Sequence, residues 1–177
     1  MRTLWVTAAT LFGLAILVAG GTALAGSQSS LSEVRGATAA YHDVQAAIED
    51  GYTFELPDVY GKTCIANLTD PAAGAMGVHM VNPALLDGTI EPTRPEALVY
   101  ERKADGRLKL AAVEYVIFKA SGLDRPELFG VPFDSNDGSR FPATTGSPFW
   151  ALHAWIWRPN HTDVTGIFSP WNPKVSC

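Results

Sequence analysis

Hydrophobic positions along this chain change their spacing once, near residue 51. Before it, Leu31, Val34, Thr38, Tyr41, Val44 and Ile48 recur three or four positions apart, the spacing that lays one apolar stripe along a helix. The run opens at Ser30-Leu31-Ser32-Glu33, where a hydroxyl followed by a carboxylate has the form of a capping box. Gly51, a residue suited to a helix C-terminus, closes it. The spacing predicts one helix over 30–50.

Beyond Gly51 the period drops to two. Tyr52–Leu56, Gly77–Val81, Ala97–Glu101, Leu108–Phe118 and Phe149–Trp157 are rich in β-branched and aromatic residues and separated by turn signals, which reads as five strands. Asp105-Gly106 is a strong hairpin signal between the third and the fourth. No interval holds a helical pattern long enough for a parallel crossover, so the sheet is expected to be mostly antiparallel. The expected class is α+β: one N-terminal helix packed on a curved, mostly antiparallel sheet or half-barrel. Residues 120–147 and 158–177 lack periodicity, and long aperiodic stretches often build binding walls.

The start of the chain changes the compartment. Arg2 precedes an uncharged apolar run, Leu4 to Ala19, then Gly20-Gly21 and the small-x-small site Ala23-Leu24-Ala25. This predicts a signal peptide over 1–25, a secreted, extracytoplasmic protein and a single globular domain over 26–177. Ser27 stands where a lipoprotein would carry its lipidated Cys, so no lipid anchor is expected, and no stable membrane insertion once the leader is removed. A retained leader acting as an anchor is the alternative. Outside the cytoplasm, the only two cysteines, Cys64 and Cys177, read as one disulfide. The formal charge of −5 comes without any basic block, which argues against nucleic-acid partners and anionic membrane surfaces.

Three polar residues interrupt segments that otherwise read as core strand: His79, Glu114 and His153. By alternation Glu114 shares its face with Leu110, Ala112, Val116 and Phe118, and His153 shares its face with Ala151, Trp155 and Trp157. A carboxylate on such a face costs several kcal/mol unless it is paired, ligated or protonated. Two imidazoles and a carboxylate suit a divalent metal such as Zn, Mn, Fe or Cu. They equally suit acid/base work with Glu114 as the catalytic group, or a buried trio that only satisfies itself. His42 and His161 are weaker candidates. Trp150 and Trp171, with Tyr100, could stack on a sugar or an aromatic ligand near Asn160, Asn172 and Arg158. Asn67-Leu68-Thr69 fits a glycosylation sequon. There is no Gly-x-Ser-x-Gly elbow, phosphate-cradling loop or dinucleotide fingerprint in the sequence.

The ordered strings Gly74-Ala75-Met76-Gly77-Val78-His79-Met80-Val81-Asn82-Pro83, Arg94-Pro95-Glu96-Ala97-Leu98-Val99-Tyr100-Glu101, Val113-Glu114-Tyr115, Leu152-His153-Ala154-Trp155 and Pro170-Trp171-Asn172-Pro173 carry a resemblance. With them the chain, over roughly residues 38–177, resembles a family of uncharacterised exported bacterial proteins common in actinobacteria. The resemblance implies an exported single domain and brings no activity. The expected function is a sheet-borne His/Glu/His pocket that binds a divalent metal or acts on a small organic molecule. The alternatives are a non-catalytic extracellular module for carbohydrate or aromatic ligands, and a structural envelope protein.

Overall fold

Alternating strands that bury both of their faces need cover on each side, and this chain supplies it from its two ends. The computed structural model describes residues 22–119, 124–144, 146–160 and 164–177. The expected leader lies outside them as far as residue 21, and so does His161. Helix α1 (Thr22–Thr38) passes through a 3₁₀ turn (Ala39–His42) into helix α2 (Val44–Glu49). The strands are β1 (Phe54–Glu55), β2 (Cys64–Ala66), β3 (Ala75–Val81), β4 (Ala97–Arg102), β5 (Leu108–Phe118), β6 (Glu127–Leu128), β7 (Val131–Pro132), β8 (Asp134–Asn136) and β9 (Phe149–Ala154). A last short helix, α3, spans Val164–Ile167. Seven strands form one open sheet in the order β1-β3-β4-β5-β9-β8, with β2 also paired to β3. Every pairing is antiparallel, so the α+β expectation holds.

The single helix expected over 30–50 is two helices. Because α1 already runs from Thr22, Ser30 lies inside a helix and caps no terminus. The break falls at Asp43, which adopts an extended conformation while its carboxylate accepts from the Gln45 N–H at 2.9 Å. A short acid that bonds to its own backbone favours an N-cap over a helix interior. The break shifts the phase of the stripe: Ala47 is fully buried and Ile48 is left exposed. The end of α2 follows the expected chemistry. Tyr52 N–H donates to the Ala47 carbonyl and Gly51 N–H to that of Ile48, with Gly51 at φ +95°, a left-handed closure that favours glycine.

The helical layer covers one sheet face. Val34, Ala47 and Tyr52 pack there on Met80, Leu98, Val113, Tyr115 and Leu152, and burying each large side chain contributes roughly 1.5–3 kcal/mol. Hydrogen bonds set the docking. Tyr100 Oη donates to the Tyr41 carbonyl, Trp157 Nε1 to Thr38 Oγ1, and Arg35 Nε to the Ile156 carbonyl.

A bulge corrects one expected neighbour of Glu114. Val99 pairs with Ala112 while Tyr100 pairs with Leu110, so Ala111 is unopposed. One extra residue flips the phase of everything beyond it, and Leu110 turns to the helix-side core. The Ala111 carbonyl instead accepts from the N–H groups of Trp157 and Arg158. That explains why β9 stops at Ala154, short of the expected Trp157.

The C-terminal segment closes the other side. Asn172 bridges to Ala75 through two backbone hydrogen bonds, Val175 is buried, and Cys177 is disulfide-bonded to Cys64 with Cα atoms 5.5 Å apart. Among the described residues no helix is long and apolar enough to cross a membrane.

Two stability predictions follow from this packing. The disulfide joins residues 113 apart, and the chain-entropy estimate for such a loop is about 4–5 kcal/mol. Cys64→Ser should therefore lower urea-unfolding stability by an amount of that order, and added reductant should do the same to the wild type. The second concerns Glu96, which is 1 % exposed and accepts from the Val116 N–H at 2.9 Å. Burial pushes its carboxyl up to about 8 from an ordinary 4.5. A raised folded-state value means that the folded protein holds a proton the unfolded chain releases. This stabilisation is complete below about pH 4.5 and is lost as pH rises to about 8, a fall of roughly 3–5 kcal/mol. Glu96→Gln, which keeps the acceptor, should flatten that slope; a variant with an unchanged slope would show that Glu96 is not its source.

Candidate metal centre

Sheet register brings the three polar strand residues together. Glu114 on β5 pairs directly with His153 on β9. On its other side Glu114 pairs with Ala97 of β4, which pairs with Val81 of β3. His79 lies two residues before Val81, on the same face of β3. The methyl group of Ala97 leaves the space above β4 across which His79 and Glu114 meet. Gly77 sets the approach of β3 to β4: its φ is +102°, and a Cβ there would stand 2.6 Å from the Tyr100 carbonyl oxygen.

The contacts are nearly equal. His79 Nε2 lies 3.1 Å from His153 Nε2 and 3.3 Å from Glu114 Oε2, and His153 Nε2 lies 3.2 Å from Glu114 Oε1. The carboxylate thus spans the pair, one oxygen toward each imidazole. All three residues are buried, at 2 %, 7 % and 3 % exposure for His79, Glu114 and His153. Burial lowers the His79 pKa to about 4, against the opposing pull of Glu114, which makes this imidazole neutral. For Glu114 burial works against the charge, but His153 and His79 outweigh it and hold the carboxyl below its usual range.

Protons alone serve this trio poorly. Two Nε2–H groups could donate one to each carboxylate oxygen, but they would then set two N–H dipoles side by side at 3.1 Å. With the carboxylate ionised, as its lowered pKa makes it, and one Nε2–H fewer, an imidazole lone pair faces a carboxylate lone pair. A single cation satisfies every contact at once. Neighbouring ligand atoms on an ion with bonds of about 2.1 Å stand about 3.0–3.4 Å apart, and the separations here fall in that range. A neutral imidazole and an ionised carboxylate are also the states a metal needs in its ligands. His79, Glu114 and His153 therefore form a buried group that can hold a metal ion.

The group lies in a pocket of about 600 Å³. Phe118, Val116 and Phe149 line it on the sheet, and Phe141, Pro170 and Trp171 come from the two aperiodic stretches. Both stretches expected to build walls do so; within 120–147 the chain also forms β6, β7 and β8.

The other candidates divide. Trp171 lines the pocket, with the Arg140 guanidinium 5.4 Å from its ring centroid. Tyr100 does not reach it: the residue is fully buried in the helix-side core. Trp150 alternates with the pocket-facing Phe149 and Ala151, packs on that same core and carries Lys119 Nζ over its ring at 4.2 Å. Asn160 and Asn172 are buried, and their amides donate to the carbonyls of Trp171 and Arg158. His42 is exposed and meets the edge of Trp157. Sequence reasoning missed Leu56, Met76 and Phe141 as wall residues. Only Phe141 left a signal, as an apolar residue in a polar loop. Compared with protein-family models, curated proteins and solved structures, the chain matches none.

Gly77→Ala tests the positioning. It forces an L side chain into a left-handed conformation and against a backbone oxygen, so thermal or urea unfolding should show a loss of roughly 2–4 kcal/mol. A neutral result would mean that β3 and β4 can separate without cost.

Proposed function

We propose that this is an exported protein that binds one divalent transition metal, of the Zn, Mn, Fe or Cu group, through His79, Glu114 and His153. The reading rests above all on the three near-equal contacts between buried ligand atoms, which a central cation satisfies while the carboxylate stays ionised. Three protein ligands leave coordination positions open toward the pocket, the arrangement in which a metal acts on a bound molecule instead of only bracing the fold. His79 and His153 serve as neutral ligands. Glu114 would serve as the anionic ligand, and where it ligates through one oxygen alone the other would be free to take a proton from a bound water or substrate. The leader-like start and the disulfide support export, since such a bond persists in an oxidising compartment. The non-catalytic binding module keeps Trp171 from its proposed ligand set and loses Tyr100 and Trp150, which lie outside the pocket.

The test is elemental mass spectrometry on protein collected after export, beside the His79→Ala/His153→Ala variant. The expected result is about one equivalent of metal in the wild type and none in the variant. Glu114→Gln, which removes the anionic ligand, should weaken metal affinity by at least the roughly 10–100-fold that loss of an outer-shell partner costs. A wild type that holds no metal even after reconstitution would overturn the reading.

A further inference from the structure

The pocket and the metal group are one compartment, and the chemistry of the two parts differs. Its walls are apolar and aromatic: Phe118, Val116, Phe149, Phe141 and Trp171. Among the described residues no Lys or Arg lines it. Asp134, Ser135 and Asn136 stand together at one rim, with Asp134 exposed. The buried polar residues of its lining are His79, Glu114 and His153.

Charge then decides what fits. A divalent ion held by two neutral imidazoles and one carboxylate carries one net positive charge. In an apolar enclosure such a charge is costly unless a counter-charge reaches it. The one lining carboxylate besides the ligand Glu114 is Asp134, which is exposed at the rim and screened by solvent, so the buried counter-charge comes with the ligand, as an oxygen anion on an open metal position. A second anion at the rim would meet the Asp134 carboxylate, and the cations nearest that edge are engaged, Lys119 with Ser135 Oγ and the Trp150 ring and Arg140 with the Ala66 carbonyl and the Trp171 ring. A sugar would leave several hydroxyls unpaired against Phe and Val side chains, each costing on the order of 1–3 kcal/mol. The volume of about 600 Å³ equals roughly twenty waters' share of liquid, which suits a body of one or two rings or a medium-length chain.

We propose that the pocket takes a monoanionic amphiphile: an apolar, preferably aromatic body with a single carboxylate or phenolate head that ligates the metal, held between Phe118, Phe149 and Trp171. The proposal rests on the metal reading above and goes beyond it in naming the ligand class.

The experiment is titration calorimetry on the zinc-loaded wild-type protein, with metal content measured on the same sample. The probes are 2-naphthoate, the neutral 2-naphthalenemethanol and acetate, so that head and body are varied separately. Naphthoate should bind at least about tenfold more tightly than either control, a difference of about 1.4 kcal/mol. Ala151→Phe, which fills the pocket beside His153 without touching a ligand atom, should retain one equivalent of metal and lose naphthoate. His153→Ala should lose the preference for acid over alcohol. If no metal loads, both readings fall. If metal loads but naphthoate binds no better than the alcohol, or binds Ala151→Phe equally well, only the monoanion proposal falls.

Discussion

Glu114 stands on a long, central strand of the sheet, buried to 7 % exposure among alanine, valine and phenylalanine. A carboxylate so placed needs polar partners where it is, because the apolar face gives it no water to turn to. The two imidazoles at 3.2 and 3.3 Å are the response, and much of the molecule serves to keep them there. Glycine at 77 lets β3 lie close to β4. Alanine at 97 keeps the space between His79 and Glu114 clear. The antiparallel register of β5 with β9 delivers His153 directly opposite.

The two sheet faces divide the labour between stability and chemistry. The helix-side face is packed with large aliphatic and aromatic residues and closed by hydrogen bonds from Tyr100, Trp157 and Arg35. The opposite face has smaller side chains over its strands, Ala97 and Ala151 among them, and is roofed by residues that arrive late in the chain. That roof is tied down. Asn160 and Ser169 hold the Trp171 backbone, Asn172 bridges to Ala75, and the disulfide anchors the last residue to β2. The Ala111 bulge contributes as well, since its freed carbonyl takes Trp157 and Arg158 and turns the chain after β9 toward that roof.

An aromatic-rich end suggested a stacking surface, but aromatic residues on one strand alternate between faces. Phe149 and Trp155 lie on the site side, whereas Trp150 and Ile156 lie with the helix-side core. Of Tyr100, Trp150 and Trp171, the aromatic residues that the sequence suggested for stacking, Trp171 alone lines the pocket, and the side-chain amides of Asn160 and Asn172 donate to backbone carbonyls. The compartment is accordingly apolar with one polar floor, which favours a metal with an apolar ligand over a polyhydroxylated one.

Much of the frame was legible from local pattern. Alternation marked β3, β4, β5 and β9 to within a few residues, Asp105-Gly106 marked their hairpin, two cysteines implied their bond, and misplaced charge marked His79, Glu114 and His153. These signals are local because the period of a strand and the cost of a buried charge are properties of a few adjacent residues. What needed the folded chain was everything that depends on a neighbour distant in sequence. The break at Asp43, the Ala111 bulge that moved Leu110 to the other face, and the short strands β2 and β8 are settled by pairing partners. So too is the meeting of residues 79, 114 and 153, since register between strands is decided by which faces can be buried together. No pattern within one strand records that choice.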